Sequence, residues 1–347
     1  MKERRYKMGF KKIINGLRND QGKKVVIFPG QNSQYLGMGA DIPADILEYL
    51  FEQTKQALGE DLSSYLFFLI SPQAIALQEE EKIKHQIRLN QNCQLTTFIT
   101  SCGLYLKHQE EVSVPDFVSG HSLGMYAALF AAKVAPFSQL VKIVKYRQSS
   151  MNDAALLFNG GMSAVIGDAG KISEKVFKKT NVKIGNFNTP NQTVITGLKE
   201  ELEIVGLRLK KKGFKVVPLR SVLLANHHSE YMELAKINLE YIFGLPDIVA
   251  KTPEINLVLD TTGKTESDPH KIRAAMIKQP VSQIHWRSVM EFFIKQKILK
   301  ESIVEIGPGR VLTKMKEDFP GFERLRQKAA DATADELFIT ESKRAQF

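Results

Sequence analysis

Residues 117–132, Phe117-Val118-Ser119-Gly120-His121-Ser122-Leu123-Gly124-Met125-Tyr126-Ala127-Ala128-Leu129-Phe130-Ala131-Ala132, read as a short apolar strand, a five-residue turn and an apolar helix. The turn, Gly120 to Gly124, is a G-x-S-x-G pattern, and the strand before it and helix after it give the pattern meaning. Two glycines permit a tight, strained turn that lifts a serine hydroxyl above a sheet edge, at a helix N-terminus whose backbone N–H groups favour developing negative charge. Ser122 is therefore the candidate nucleophile, and its setting points to an α/β protein.

Strand signals recur outward from this centre. Lys24-Val25-Val26-Ile27-Phe28 is an apolar run stopped by Pro29-Gly30, and further candidates lie at 163–166, 182–184, 193–196, 215–217, 255–259 and 303–306. Helical spacing between many of them argues a largely parallel sheet. Residues 160–220 depart from this rhythm: four strand candidates, with predicted helices over 172–178 and 200–212, give the ferredoxin-like order of strand, helix, strand, strand, helix, strand. The expected fold is α/β: a hydrolase-like core with a mostly parallel sheet plus an inserted ferredoxin-like small subdomain. Arg208, Lys210, Lys211, Lys212 and Lys215 gather on or beside the subdomain's second helix, as a solvated face or as a surface for an acidic partner. Beyond Lys316 the chain turns polar, and a loosely packed tail is expected.

Composition narrows the function classes. With 347 residues, 43% hydrophobic and 25% charged, the chain is long and apolar enough for an ordinary globular enzyme. Only Cys93 and Cys102 are present, which excludes a disulfide scaffold, a four-thiolate zinc site and an iron–sulfur cluster and fits a reducing cytoplasm. No stretch reaches the ~18 consecutive apolar residues of a spanning helix, and the first 20 residues lack the apolar run of a secretory signal. The formal net charge of +10 invites a nucleic-acid or anionic-lipid reading, the alternative from a different class. Yet nine bases and two acids fall in the first 24 residues, so +7 of the +10 belongs to a leader and the remainder carries about +3. Phe10, Ile13, Ile14 and Leu17 recur there at helical spacing, as in an accessory helix, a targeting or membrane-surface peptide, or a nucleic-acid arm.

A nucleophilic serine needs a base, and there are seven histidines. His121 adjoins the serine and reads as packing support, while His85 and His108 read as surface residues. His227-His228 follows the apolar run Val222-Leu223-Leu224-Ala225, where the chain returns from the subdomain, and is the pair worth weighing.

Six blocks, in order, carry a resemblance: Phe28-Pro29-Gly30-Gln31-Asn32-Ser33-Gln34, Gly120 to Gly124, Tyr146-Arg147-Gln148-Ser149-Ser150-Met151, Asn186 to Gly197, Ala225 to Met232, and Glu305-Ile306-Gly307-Pro308-Gly309. Over about residues 24–316 the chain resembles the malonyl-CoA:acyl carrier protein transacylases. The resemblance implies that Ser122 attacks the malonyl thioester and that His228, in His228-Ser229-Glu230-Tyr231-Met232, is its base. The backbone N–H groups of Gln31 and Leu123 would form the oxyanion hole. Arg147 would hold the malonyl carboxylate, a task suited to a fork that stays charged when buried. A backbone carbonyl, placed by register at His285 in Gln279-Pro280-Val281-Ser282-Gln283-Ile284-His285-Trp286, would hold the other nitrogen of the base.

The implied partners are malonyl-CoA as substrate and an acyl carrier protein as acceptor, with no metal or redox cofactor, no nucleic acid, no membrane span and a monomeric state. The implied layout is a basic leader (1–23), a catalytic body (24–158 and 222–316), the ferredoxin-like subdomain (159–221) and a polar tail (317–347). Departures from the family pattern include Met125 where an acid is usual, His227 before the base, and Asn92-Cys93-Gln94-Leu95 in place of Gln-Pro-Ala-Leu. Met125 and His227 read as bordering the acyl pocket, and Gln94 is given no role. The alternatives are an acyl hydrolase clearing acyl carrier proteins and an acyltransferase for a different extender unit.

Overall fold

Side-chain alternation along Val25–Phe28 decides the layering. Val26 and Phe28 enter one hydrophobic cluster, Val25 and Ile27 enter another, and the strand is buried along its whole length. A strand covered on both faces belongs inside a parallel sheet flanked by helices. The computed structural model describes residues 22–111, 114–219 and 227–326.

In chain order the elements are β1 (Val25–Phe28), helices α1 to α4 (Ala44–Leu58, Glu60–Ile70, Glu79–Gln91, Cys93–Glu111), β2 (Phe117–Gly120), α5 (Gly124–Ala131) and α6 (Phe137–Leu157). There follow β3 (Gly160–Ile166), β4 (Lys183–Thr189), β5 (Gln192–Leu198), α7 (Lys199–Lys210), β6 (Lys215–Pro218) and α8 (Glu233–Gly244). The chain continues through β7 (Asn256–Leu259), β8 (Lys264–Glu266), α9 (Pro269–Lys278), α10 (Trp286–Lys295), β9 (Ile303–Glu305) and α11 (Val311–Lys316).

The larger sheet has the order β8-β7-β2-β1-β9, parallel throughout except for β8, a strand with no counterpart among the sequence signals. Register aligns Phe28 with Gly120 and Ser119 with Val258, so β1, β2 and β7 end side by side. In an open α/β sheet that carboxyl edge is where a site is expected. The residues just past it are Gly30-Gln31, the Gly120–Gly124 turn and Asp260.

The turn divides its labour in an unexpected way. Its left-handed residue is Ser122 itself, at φ 51°, whereas the two glycines are absent from the positive-φ set. They are needed for room: a Cβ on Gly124 would lie 2.1 Å from the carbonyl oxygen of Phe28, and one on Gly120 would lie 2.0 Å from the carbonyl carbon of Gly124. Backbone crowding at this density leaves a side chain no place to go.

The second sheet, β4-β5-β3-β6, is antiparallel throughout. Val165 and Ile195 pack with Val205 and Leu209 of α7 on one of its faces. The helix predicted over 172–178 is instead two 3₁₀ turns, Ala169–Lys171 and Glu174–Phe177. Asp168 and Ser173 explain this, because their side chains accept from the N–H groups of Gly170 and Lys175 and break the segment into separate capped turns. Arg208 donates to the carbonyls of Val176 and Lys178, so it serves the subdomain's interior, while Lys210, Lys211, Lys212 and Lys215 are exposed. Sheet and body are stitched at Ile284, whose N–H donates to Gly185 O and whose carbonyl accepts from Phe187 N–H, both at 2.8 Å.

The expected loose tail is corrected over its first ten residues. Residues 320–326 are helical, and Phe319 and Phe322 are buried with Trp286 and Phe293. Lys316 is itself buried, its ammonium donating to the carbonyls of Lys300 and Ile303. The rest of the predicted tail, the amphipathic leader helix and the run Val222 to Ala225 lie outside the described residues, within which no helix is long and apolar enough to cross a membrane. The crowding at the turn yields a test. Gly124→Ala should destabilise the protein by about 3 kcal/mol or more in denaturant unfolding, because the clash is with backbone that cannot rotate away.

Candidate active site

Three segments far apart in sequence meet at Ser122. Its Oγ lies 2.9 Å from Nε2 of His228, a buried residue that also adopts a left-handed backbone, at φ 62°. Nδ1 of His228 faces two carbonyl oxygens, those of Gln279 and Ser282, each at 3.1 Å. Two acceptors there require Nδ1 to carry the proton, which leaves the Nε2 lone pair to accept from the serine hydroxyl. Burial pushes the His228 imidazolium well below its ordinary range, and His227 and Arg147 nearby add to the effect. The ring is thus held neutral, with its basic nitrogen against the hydroxyl.

The carbonyl assigned by register to His285 is corrected. That carbonyl starts α10, accepting from the N–H groups of Ser288 and Val289, and the His285 ring stacks on Phe187. The holding carbonyls belong to Gln279 and Ser282, six and three positions earlier, because the 3₁₀ turn Gln279–Val281 and the residue that follows it lie beneath the His228 ring.

Arg147 comes from the buried face of α6 and is 1% exposed. Its guanidinium donates to Ser122 Oγ at 3.1 Å, to Gln94 Oε1 at 2.5 Å and to Gln279 Oε1 at 3.4 Å, and it lies over the Tyr126 ring. Burial opposes its charge, whereas Tyr126 and Asp260 nearby favour it. Among the described residues no carboxylate makes an ion pair with it; its partners are neutral oxygens.

Beneath the serine sits Asp260, 1% exposed. Its Oδ2 accepts from the Ser122 N–H at 2.7 Å, and the Gln279 amide donates to both carboxylate oxygens, at 2.9 and 3.2 Å, and to Ser122 O at 3.0 Å. Burial pushes the Asp260 carboxyl up to about 7, against the pull of those donors and of Arg147.

With this geometry in hand, a family model described as "Acyl transferase domain" matches residues 25–318. The chain belongs to the acyl transferase family. It is 33% identical over 294 residues to the malonyl CoA-acyl carrier protein transacylase of Salmonella typhimurium, covering 83% of this chain and 89% of that protein. The Bacillus subtilis protein of the same name is 30% identical over 299 residues, covering 84% and 88% respectively. Among solved structures, a malonyl-transacylase in complex with its type II polyketide acyl-carrier protein superposes with a TM-score of 0.74 at 30% identity, over 86% of this chain and 93% of that one.

Within this acyl transferase fold, Gln31 and Leu123 stand three residues beyond the aligned pair Phe28 and Gly120, one on each of two adjacent strands. Their loops are in close contact, since a Cβ on Gly30 would lie 2.6 Å from His121 O. His121 braces the turn: its Nε2 pairs with Asn188 Oδ1 at 2.9 Å and its ring meets Trp286 edge-on. Met125 packs in the main core and His227 is buried beside His228. His85 is no free surface residue, because its ring packs against Tyr65 and Phe68. Among the described residues no group of three or more His, Cys, Asp or Glu could hold a metal ion.

Sequence reasoning missed Gln94, Gln279 and Asp260. Asp260 carried a readable signal, a carboxylate immediately after the apolar run Leu257-Val258-Leu259 and hence at the carboxyl edge of a parallel strand. Gln94 and Gln279 carried none, for each acts through neighbours supplied by other elements.

The raised Asp260 pKa has a stability consequence. An unfolded aspartate ionises near 3.8, so between pH 3.8 and about 7 the fold holds a proton that the unfolded chain releases, and stability falls as pH rises through that window. Asp260→Asn removes this cost. Its stability relative to the parent should rise between pH 4 and about 7 and level off above it, a total change on the order of 4 kcal/mol, measured by denaturant unfolding across pH.

Proposed function

We propose that the protein transfers a malonyl group from malonyl-CoA to the phosphopantetheine thiol of an acyl carrier protein, through a malonyl ester of Ser122. The observation that carries this reading is Arg147. A buried guanidinium with neutral partners, in contact with the hydroxyl of a histidine-paired serine, suits an acyl group that ends in a carboxylate. An acetyl or long alkyl chain has no use for it.

His228 Nε2 takes the Ser122 proton as Oγ attacks the thioester carbonyl. The oxyanion is met by the N–H groups of Gln31 and Leu123, and losing one such donor typically costs about 3 kcal/mol. As the C–S bond breaks, His228 returns the proton to the departing coenzyme A sulfur. The carrier's thiol then gives its proton to His228 and attacks the ester, and collapse of the second intermediate restores the Ser122 hydroxyl. Each step uses protein groups alone and assigns no part to a metal or redox cofactor. The carbonyls of Gln279 and Ser282 keep the imidazole oriented through the cycle.

The strand order β4-β5-β3-β6 supports the finer description of residues 159–221 as a ferredoxin-like insert, its first helix reduced to 3₁₀ turns. Residues 24–158 and 222–316 then form a hydrolase-like body. A monomer acting in the cytoplasm, in fatty-acid or polyketide synthesis, completes the reading.

After mixing with malonyl-CoA, intact-mass analysis should show the protein heavier by one malonyl group, and Ser122→Ala should show no adduct. An unmodified parent protein would refute the transfer mechanism. Arg147→Ala should lower malonyl transfer roughly 100-fold, the loss of a charged hydrogen-bonded pair, and acetyl transfer only a few-fold. Equal losses would place the arginine outside acyl recognition.

A further inference from the structure

The carboxylate of Asp260 is the meeting point of the machinery around Ser122, although it reaches neither the serine hydroxyl nor the base. Its Oδ2 accepts from the Ser122 N–H, and both of its oxygens accept from the Gln279 amide. That same amide donates to Ser122 O, so Asp260 and Gln279 grip the serine's peptide from both sides. The main-chain carbonyl of Gln279 receives Nδ1 of His228, and its side-chain oxygen receives Arg147. Asp260 is anchored in turn, its own carbonyl accepting from His285 N–H at 2.7 Å where α10 begins. Ser122 stands in a left-handed conformation that a non-glycine residue keeps only when its surroundings hold it there.

We propose that Asp260 is a positioning residue for acyl transfer, whose carboxylate clamps the Ser122 peptide and, through Gln279, keeps His228 and Arg147 in register with the serine hydroxyl. The inference rests on the reading of Ser122 and His228 as nucleophile and base. It requires the ionised form. A protonated carboxyl turns one oxygen into a donor, and both oxygens already face donors, so at least one arm of the clamp is released on protonation.

The charged and titratable groups that face Asp260 are Arg147 from α6 and Tyr126 from α5, and Tyr126 is pushed up to about 12 by burial and stays neutral through the physiological range. His228 lies beyond Gln279 with His227 beside it, and burial holds His228, His121 and His285 below the ordinary imidazole range. Burial raises the Asp260 carboxyl to about 7, so the clamp is expected to lose its ionised form, and the rate to fall, as the pH drops below neutrality.

The test compares the parent with Asp260→Asn and Asp260→Ala, measuring steady-state transfer and the single-turnover acylation of Ser122 by malonyl-CoA between pH 6 and 8.5. Labelling of Ser122 by an alkyl fluorophosphonate, which needs only an activated serine, is followed in parallel. Asp260→Ala should lose roughly 30- to 100-fold in kcat, the scale of a misplaced reacting group, with KM for malonyl-CoA little changed. Asp260→Asn, which keeps the shape and one acceptor, should lose roughly tenfold and show no fall in rate from pH 8 to 6, where the parent's rate declines. Fluorophosphonate labelling should follow the same losses and the same change of pH profile. Equal labelling rates and superimposable pH profiles in parent and Asp260→Asn would overturn the proposal. A parent that takes the fluorophosphonate but no malonyl group would count against the acyl-donor reading, and the labelling comparison would still decide the role of Asp260.

Discussion

Phe28 and Gly120 are partners on parallel strands, and the backbone just past them runs so close that glycine alone fits at position 124. The rest of the site depends on this contact. It sets the start of α5 against the end of β1, brings the Gln31 loop beside the Leu123 loop, and forces the sharp bend whose strain falls on Ser122. Register between β2 and β7 then delivers Asp260 under the serine, so that three neighbouring strand ends supply one cluster. No single loop could hold these groups with comparable stiffness, because strand ends in a buried sheet cannot drift independently.

The histidine reaches the cluster by a different route. His228 follows the antiparallel sheet in the chain, and Gly185 of β4 packs against it, a Cβ there standing 3.5 Å from that of His228. The bridge at Ile284 ties β4 to the segment that carries Gln279 and Ser282, the two residues whose carbonyls hold the imidazole. The smaller sheet thus sits behind His228 and helps fix its distance from the serine. This gives the smaller sheet a physical task.

Two buried charges, Arg147 and Asp260, oppose the stability of the fold and serve the site. Among the described residues neither is ion-paired directly. Arg147 donates to amide and hydroxyl oxygens while its Nε has no hydrogen-bond partner among those residues, and Asp260 accepts from a backbone N–H and the Gln279 amide, so each is solvated by protein dipoles while staying available to respond to a bound anion or to pH. Burial also keeps His228 uncharged, which a base must be before it accepts a proton. An apolar core would be more stable and would have no means of holding a carboxylate beside a nucleophile.

The sequence by itself determined the α/β class, the strand that leads into Ser122, the positions of nearly every strand, and the identity of Ser122, His228 and Arg147 as candidates. These are local properties, carried by periodicity, by glycine spacing or by blocks of contiguous residues. Only the tertiary structure decided which carbonyls hold His228, since the 3₁₀ turn at Gln279 puts those of Gln279 and Ser282, rather than that of His285, against its ring. It also decided that Gln94 binds Arg147, that Asp260 lies under the elbow, and that residues 319–322 belong to the core. Each of these is a contact between segments dozens or more residues apart, and sequence spacing holds no record of the distance between side chains that meet only when the sheet has formed.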